Sequence, residues 1–297
     1  MCIRDRPEYA PLMCRVWEET VLLAPEDVLH AFGMSVYGAM APMVGHPNSP
    51  VIMEPIFAID MHVRALSTAS LGAMANIMRA THLDEAIFAS LCRESDMYHV
   101  LQRCAILVSR MALTMPPPMF HDMVRATASW PDLCRRLIST SATLSHARSR
   151  KLVALGLAHM LRHASAQDKG LLSAVPDMIG MWTEVVGEVV EDEAGSADRY
   201  ERELSPTRAL EIGEDGIPFL DEFGLIEAAP TPSSARTDAV RSRDPSFNVP
   251  LRAYVADTLN AVLQNGSYKT QLQSLLATID PLVLDTLQRG LSERPVA

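Results

Sequence analysis

The chain has 297 residues, 48% of them hydrophobic but only 5% aromatic, and a formal net charge of −10. That length gives one large domain or two with ample core, and a mix rich in Leu, Ala, Val and 17 Met favours helices over sheet. The acidic balance without a basic stripe argues against nucleic acid, and no uninterrupted apolar run reaches the roughly 18 residues that suggest a membrane span.

Five cysteines (Cys2, Cys14, Cys92, Cys104, Cys134) are odd in number, widely spaced and without a CxxC pair. They speak against a disulfide framework or a zinc knuckle and for a reducing compartment. The N-terminus shows no secretory pattern. Residues 1–6, Met1-Cys2-Ile3-Arg4-Asp5-Arg6, resemble translated sequencing-adapter read-through. They are set aside as a scar, with the expectation that the natural chain extends upstream as part of a longer protein.

Residues 7–190 read as helix after helix. Pro25-Glu26-Asp27 opens one, since Pro suits the first helical position and acids complement the helix N-terminus. Val63, Leu66, Ser70, Met74, Ile77 and Met78 keep helical spacing, as do Leu101, Cys104, Val108 and Met111. Pro116-Pro117-Pro118 stops the latter helix and leads into Met119–Ser129, and Pro131-Asp132 starts another. In Arg150–Arg162, Val153, Leu157, Met160 and Leu161 share a face, with Lys151, His159, Arg162 and His163 opposite. Leu152 and Leu155 lie off that stripe, which predicts neighbours on more than one side. A partner helix uses Met178, Trp182, Val185 and Val189, with Gly180, Thr183, Glu184 and Gly187 opposite. Short breaks and a unit of roughly 40 residues predict an all-α fold, a HEAT-repeat-like α-solenoid of stacked helical hairpins.

The character changes at Glu191. Between Glu191 and Glu227 stand 12 acids against three Arg, a net −9. Pro230, Pro232, Ser233, Ser234 and Pro245 follow, so residues 191–249 are expected to form an acidic, disordered insert or surface loop. An apolar cluster, Ile217 to Ile226, interrupts the acid and contains Phe219 and Phe223. Residues 250–297 return to helices that close the array. Leu251, Val255, Leu259 and Val262 form one stripe, ended by Asn265-Gly266. Leu272, Leu275, Leu276 and Ile279 form a second, and Asp280-Pro281 caps a last helix with Leu284, Leu287 and Leu291.

Catalytic, metal and cofactor sites are not expected. His159 and His163 stand at i, i+4, but Met160-Leu161-Arg162 between them lacks the Glu of HExxH, so they read as structural or solvated. No G-x-S-x-G or glycine-rich phosphate loop is present, and Cys within helical patterns behaves as a small apolar residue. Trp182 on its apolar stripe reads as core. The acidic tract has two readings, a solvated loop or a surface that steers basic partners. As partner-binding residues the second reading singles out Glu191, Asp192, Glu193, Asp198, Glu201 and Glu203, with Phe219 and Phe223 as anchor or docking segment.

Two blocks of the chain resemble the C-terminal part of the importin-11/Kap120 branch of the importin-β nuclear transport receptors. The first is Arg150-Lys151-Leu152, Ala154 to Leu161, Trp182, Gly187-Glu188 and Glu191-Asp192-Glu193. The second is Asp244-Pro245-Ser246-Phe247-Asn248-Val249-Pro250-Leu251, with Ile279-Asp280-Pro281 and Leu284-Asp285-Thr286-Leu287 after a glycine break. The match is strongest from about Ser149 to Leu291, and Pro7 to Thr143 is compatible with it. The resemblance implies a karyopherin that shuttles between nucleus and cytoplasm through the pore, with protein cargo, nucleoporins and the GTPase Ran as partners. Family members bind Ran mainly through N-terminal repeats, which this stretch lacks. The alternatives are a HEAT-type scaffold of another complex, such as a phosphatase or chromatin scaffold, and an all-α enzyme.

Overall fold

The computed structural model describes residues 9–46, 51–93, 97–168, 170–193, 236, 239–240, 243–265 and 268–292, with backbone alone for 190–193. The described residues form helices joined by turns, the 3-10 turn Leu172–Ala174 among them, with no strand. In chain order the helices are α1 (Ala10–Leu23), α2 (Pro25–Gly45), α3 (Met53–Ala65), α4 (Thr68–Ala80), α5 (Leu83–Cys92), α6 (Tyr98–Thr114), α7 (Pro117–Thr127), α8 (Trp130–Ser141), α9 (Ala147–Arg162), α10 (Val175–Glu193), α11 (Pro245–Asn248), α12 (Leu251–Gln264), α13 (Lys269–Leu276) and α14 (Pro281–Ser292).

A repeat is visible in these bounds. Three successive units open with a first-row helix at Met53, Tyr98 and Ala147, 45 and 49 residues apart. Each continues through a second piece, the shortest of the three in the second and third units, into a third helix: α3-α4-α5, then α6-α7-α8, then α9, the 3-10 turn Leu172–Ala174, and α10. The trio α12-α13-α14 repeats the pattern. This three-helix unit is longer than the two-helix hairpin of about 40 residues that the spacing predicts, and is the armadillo variant of the same stacking principle. The first helices pack in succession, α1 on α3, α3 on α6, α6 on α9 and α9 on α12. A second row runs from α2 to α5, through α8, to α10 and α14.

Local sequence explains the ends. Pro25 occupies the first turn of α2, with Glu26 and Asp27 behind it. Ser129 caps α8 by accepting the Asp132 N–H at 3.3 Å, so this helix begins at Trp130, just ahead of Pro131. Asp280 caps α14 by accepting the Leu282 N–H at 2.8 Å. The spacing from Val63 to Met78 suggests one stripe, yet the chain turns at Leu66 and Ser67, both extended, between α3 and α4. Glu26 supports that turn by accepting the Ser67 N–H at 3.1 Å. A stripe records which side chains are buried, and two helices meeting at a corner preserve it.

Helix α9 is the centre of the array. Leu152 and Leu155, off its main stripe, are buried together with Val153, Leu157, Met160 and Leu161, because α6, α10, α11 and α12 surround it. Even Lys151 is 7% exposed. Trp182 of α10 is wholly buried and donates its indole N–H to the Ala154 carbonyl at 3.1 Å. By length and a mean hydropathy of 1.2, α2 is apolar enough to cross a membrane. In this fold its Val28, Leu29, Tyr37, Met40 and Val44 are buried, and it packs chiefly on α5.

Candidate functional site

Of the residues singled out as partner-binding, Glu191, Asp192 and Glu193 form the last turn of α10, where only the backbone is described. Asp198, Glu201, Glu203, Phe219 and Phe223 lie outside the described residues. The region read as an insert through Val249 contains at its end an ordered strap, residues 243–249, lying against α9. Asp244-Pro245 there acts as helix cap and first helical residue, with Asp244 accepting the Ser246 N–H at 2.9 Å and its hydroxyl at 2.7 Å.

The strap enters a cluster of charge on the first-row helices. Asp60 and Arg64 come from α3, one turn apart, and Arg110 from α6. Arg64 Nη2 donates to Asp60 at 2.8 Å, and Arg110 Nη1 pairs with the other oxygen of the same carboxylate. Arg110 also reaches Asp244 through Nε at 2.9 Å and Nη2 at 2.8 Å. Arg64 Nε faces Asp244 at 3.6 Å and makes no hydrogen bond of its own. The four side chains thus close a ring of two cations and two anions, each at most 9% exposed. Burial alone would raise the Asp244 pKa, but Arg110 and Arg64 outweigh it and hold it down at about 2. Flanking the ring, Arg103 stacks on Phe57 at 4.5 Å and Arg148 on Phe247 of the strap at 4.2 Å.

A cavity of about 300 Å³ borders the strap between the α3–α4 corner, Arg110 and Arg243. A smaller one, about 30 Å³, borders it among Arg64, Arg103, Arg148 and Phe247. Sequence spacing gave no sign of this ring, because Arg110 sits within an apolar stripe and Asp244 is 134 residues away from it. The readable signal was Asp244-Pro245, a capping pair inside what otherwise reads as linker.

Other polar groups hold the fold. Asp168 pins the turn after α9, accepting from His121 Nδ1 at 2.9 Å, Trp130 Nε1 at 3.1 Å and Ser165 N at 2.7 Å. His159 and His163 lie 4.4 Å apart by ring centroid, and His159 Nδ1 bonds the Tyr254 hydroxyl of α12. No group of three metal-ligating side chains occurs among the described residues. Burial pushes the thiols of Cys14, Cys104 and Cys134 up to about 12, so they are not nucleophiles at neutral pH. At the start of the array, Tyr9, Leu12, Val16 and Phe32 are each at least 50% exposed and line, with Val28 and Val36, a groove of about 540 Å³ between α1 and α2. Two open features thus stand out among the described residues, an apolar groove between α1 and α2 and a charged, strapped groove along the first row.

The family described as "Importin-11-like, TPR repeats" matches residues 1–292. That span takes in the upstream helices as fully as the two blocks that carry the resemblance. The description names TPR repeats where the unit length suggests HEAT or armadillo; all are stacks of helices that bury a shared core between neighbours. No curated protein and no solved structure shows significant similarity to the chain. On a match that spans nearly its whole length, the chain belongs to the importin-11-like family.

Proposed function

We propose that this chain is the cargo-side helical array of a nuclear transport receptor, which carries proteins between cytoplasm and nucleus in step with the GTPase Ran. The observation that supports this most is the family match over residues 1–292, on a chain whose described residues build a continuous two-row helical stack. Binding rather than catalysis is its mode of action, in keeping with the family match, and the buried carboxylates Asp60, Asp168 and Asp244 serve the fold as partners of Arg, His and Trp donors. Ran and nucleoporins are partners of the receptor as a whole, with Ran engaged outside this array. The acidic residues Glu191, Asp192, Glu193, Asp198, Glu201 and Glu203 draw basic cargo toward it by long-range attraction.

Depletion of the protein from cells, followed by measurement of nuclear-to-cytoplasmic ratios across the proteome, tests the reading. A defined set of proteins is expected to lose its nuclear or cytoplasmic bias within one transport cycle. Unchanged ratios across the proteome would contradict it.

A further inference from the structure

The strap sits on the first-row helices in the manner of a bound peptide. It is a single helical turn, Pro245–Asn248, held by two side chains three residues apart. Asp244 plugs into the guanidinium groups of Arg110 and Arg64, and Phe247 lies under Arg148. Asp244 organises its own turn through Ser246, so the segment carries its bound shape with it. The groove is larger than its occupant, with cavities of about 300 Å³ and 30 Å³ bordering the strap. It also holds more cation than the strap satisfies. Arg64 Nε is a buried donor without a hydrogen bond, and Arg103 forms no ion pair among the described residues.

We propose that the groove formed by Asp60, Arg64, Arg103, Arg110 and Arg148 is a binding site for linear peptides that carry a carboxylate followed three residues later by an aromatic ring, and that residues 243–249 are its intramolecular occupant. The proposal goes beyond the transport reading and does not depend on it. Two convergent arginines recognise a carboxylate through paired donors, and the aromatic ring stacks under a third. Leaving the groove empty exposes a buried cation pair to incomplete compensation, so loss of the strap favours replacement by another acid. Because the strap is tethered directly to α12, its effective concentration is in the millimolar range for a short linker, and a free peptide competes poorly while it is seated.

The test uses the full chain, the Asp244→Asn/Phe247→Ala double variant and fluorescence anisotropy. The probe is a labelled, N-acetylated peptide spelling residues 244–250, with a control peptide in which Asn replaces its Asp. The double variant is expected to bind the Asp peptide at least tenfold more tightly than the parent does. It should bind the Asn peptide at least tenfold more weakly than the Asp peptide, and adding Arg110→Gln should abolish the difference. A double variant that retains its helical circular dichroism yet binds both peptides equally, or neither, overturns the proposal. If the double variant does not fold, Phe247→Ala alone keeps the buried ion ring and loosens the strap. Tighter binding of the Asp peptide than by the parent then supports the proposal, and equal binding overturns it.

Discussion

At the scale of single residues, two buried titratable groups oppose one another near the start of the array. His62 is wholly buried beside Trp17 and Tyr37. Its Nε2–H donates to the Pro25 carbonyl at 3.0 Å, which leaves Nδ1 to accept the Tyr37 hydroxyl at 2.7 Å. That neutral tautomer has no room for a second proton, and burial lowers the pKa from 6.5 to about 4. The unfolded chain therefore binds more protons between pH 4 and 6.5, and the His62 contribution to stability is lost as pH falls through that window. Glu18 is the reverse. Burial, reinforced by Glu19, raises its pKa from 4.5 to about 7, so the folded chain holds the extra proton and stability falls as pH rises from 4.5 to 7. Between pH 4.5 and 6.5 the two slopes cancel. Removing one with Glu18→Gln should make stability rise with pH, relative to the parent, by about 1.4 kcal/mol per unit at most. Urea melts at half-unit steps measure this, and parallel curves for variant and parent would refute the assignment.

Glycines give a second residue-scale contrast. A methyl group at Gly156 of α9 would lie 2.8 Å from Ser109 Cβ and 2.9 Å from Ser109 Cα on α6. That contact is with backbone and cannot swing away, so Gly156→Ala should cost about 1–3 kcal/mol. Gly180 and Gly187 of α10 have nothing within 4 Å of the added carbon. There Ala should raise stability by roughly 0.5–1 kcal/mol each through helix propensity. Thermal melts of the three variants decide both signs.

Among elements, the two kinds of charge contact should behave differently. Arg150 ties α9 to α10 through Glu184 and Glu188, whose side chains are 66% and 41% exposed. Solvent screens such a bridge, and Arg150→Ala should cost no more than about 1 kcal/mol. Arg110→Ala removes the shared cation of Asp60 and Asp244 in a site nearly closed to water, and should cost about 3–5 kcal/mol. It should also free the strap, seen as new tryptic cleavage after Arg243. An Arg110→Ala chain as resistant as the parent would show that the ring does not hold the strap.

The elements themselves were largely legible in the sequence, because proline, capping acids and apolar stripes are local signals. Pro25, Pro131-Asp132 and Asp280-Pro281 all stand at helix starts. The corner at Leu66-Ser67 was not legible, since burial continues across it, and neither was the three-helix unit, whose second piece shrinks from 13 residues in α4 to a 3-10 turn of three. The charged ring was invisible for a different reason. Its partners lie 50 and 134 residues apart in sequence, and an Arg in a buried stripe carries no mark of its counterion.

For the molecule as a whole, the ordered strap changes where a cut can be made. Deleting residues 191–249 would remove Asp244 and break the ring, whereas deleting 194–235 spares every side chain that forms it. On the solvated-loop reading of its composition the shorter deletion leaves the melting temperature unchanged, and a lowered one would assign Phe219 and Phe223 the anchoring role. If the acidic residues steer cargo, it should also flatten the salt dependence of cargo binding, because exposed charges are screened within about 10 Å at 0.1 M ionic strength. The isolated chain should bind Ran-GTP weakly or not at all by calorimetry; sub-micromolar affinity would place the Ran site within this array. The most direct test of the transport role adds the purified chain in excess to permeabilised cells supplied with cytosol. It should compete for cargo and slow nuclear accumulation of the proteins whose partition depends on this receptor, leaving unrelated cargo unaffected. Undiminished accumulation of those proteins at saturating chain would contradict a cargo-binding array.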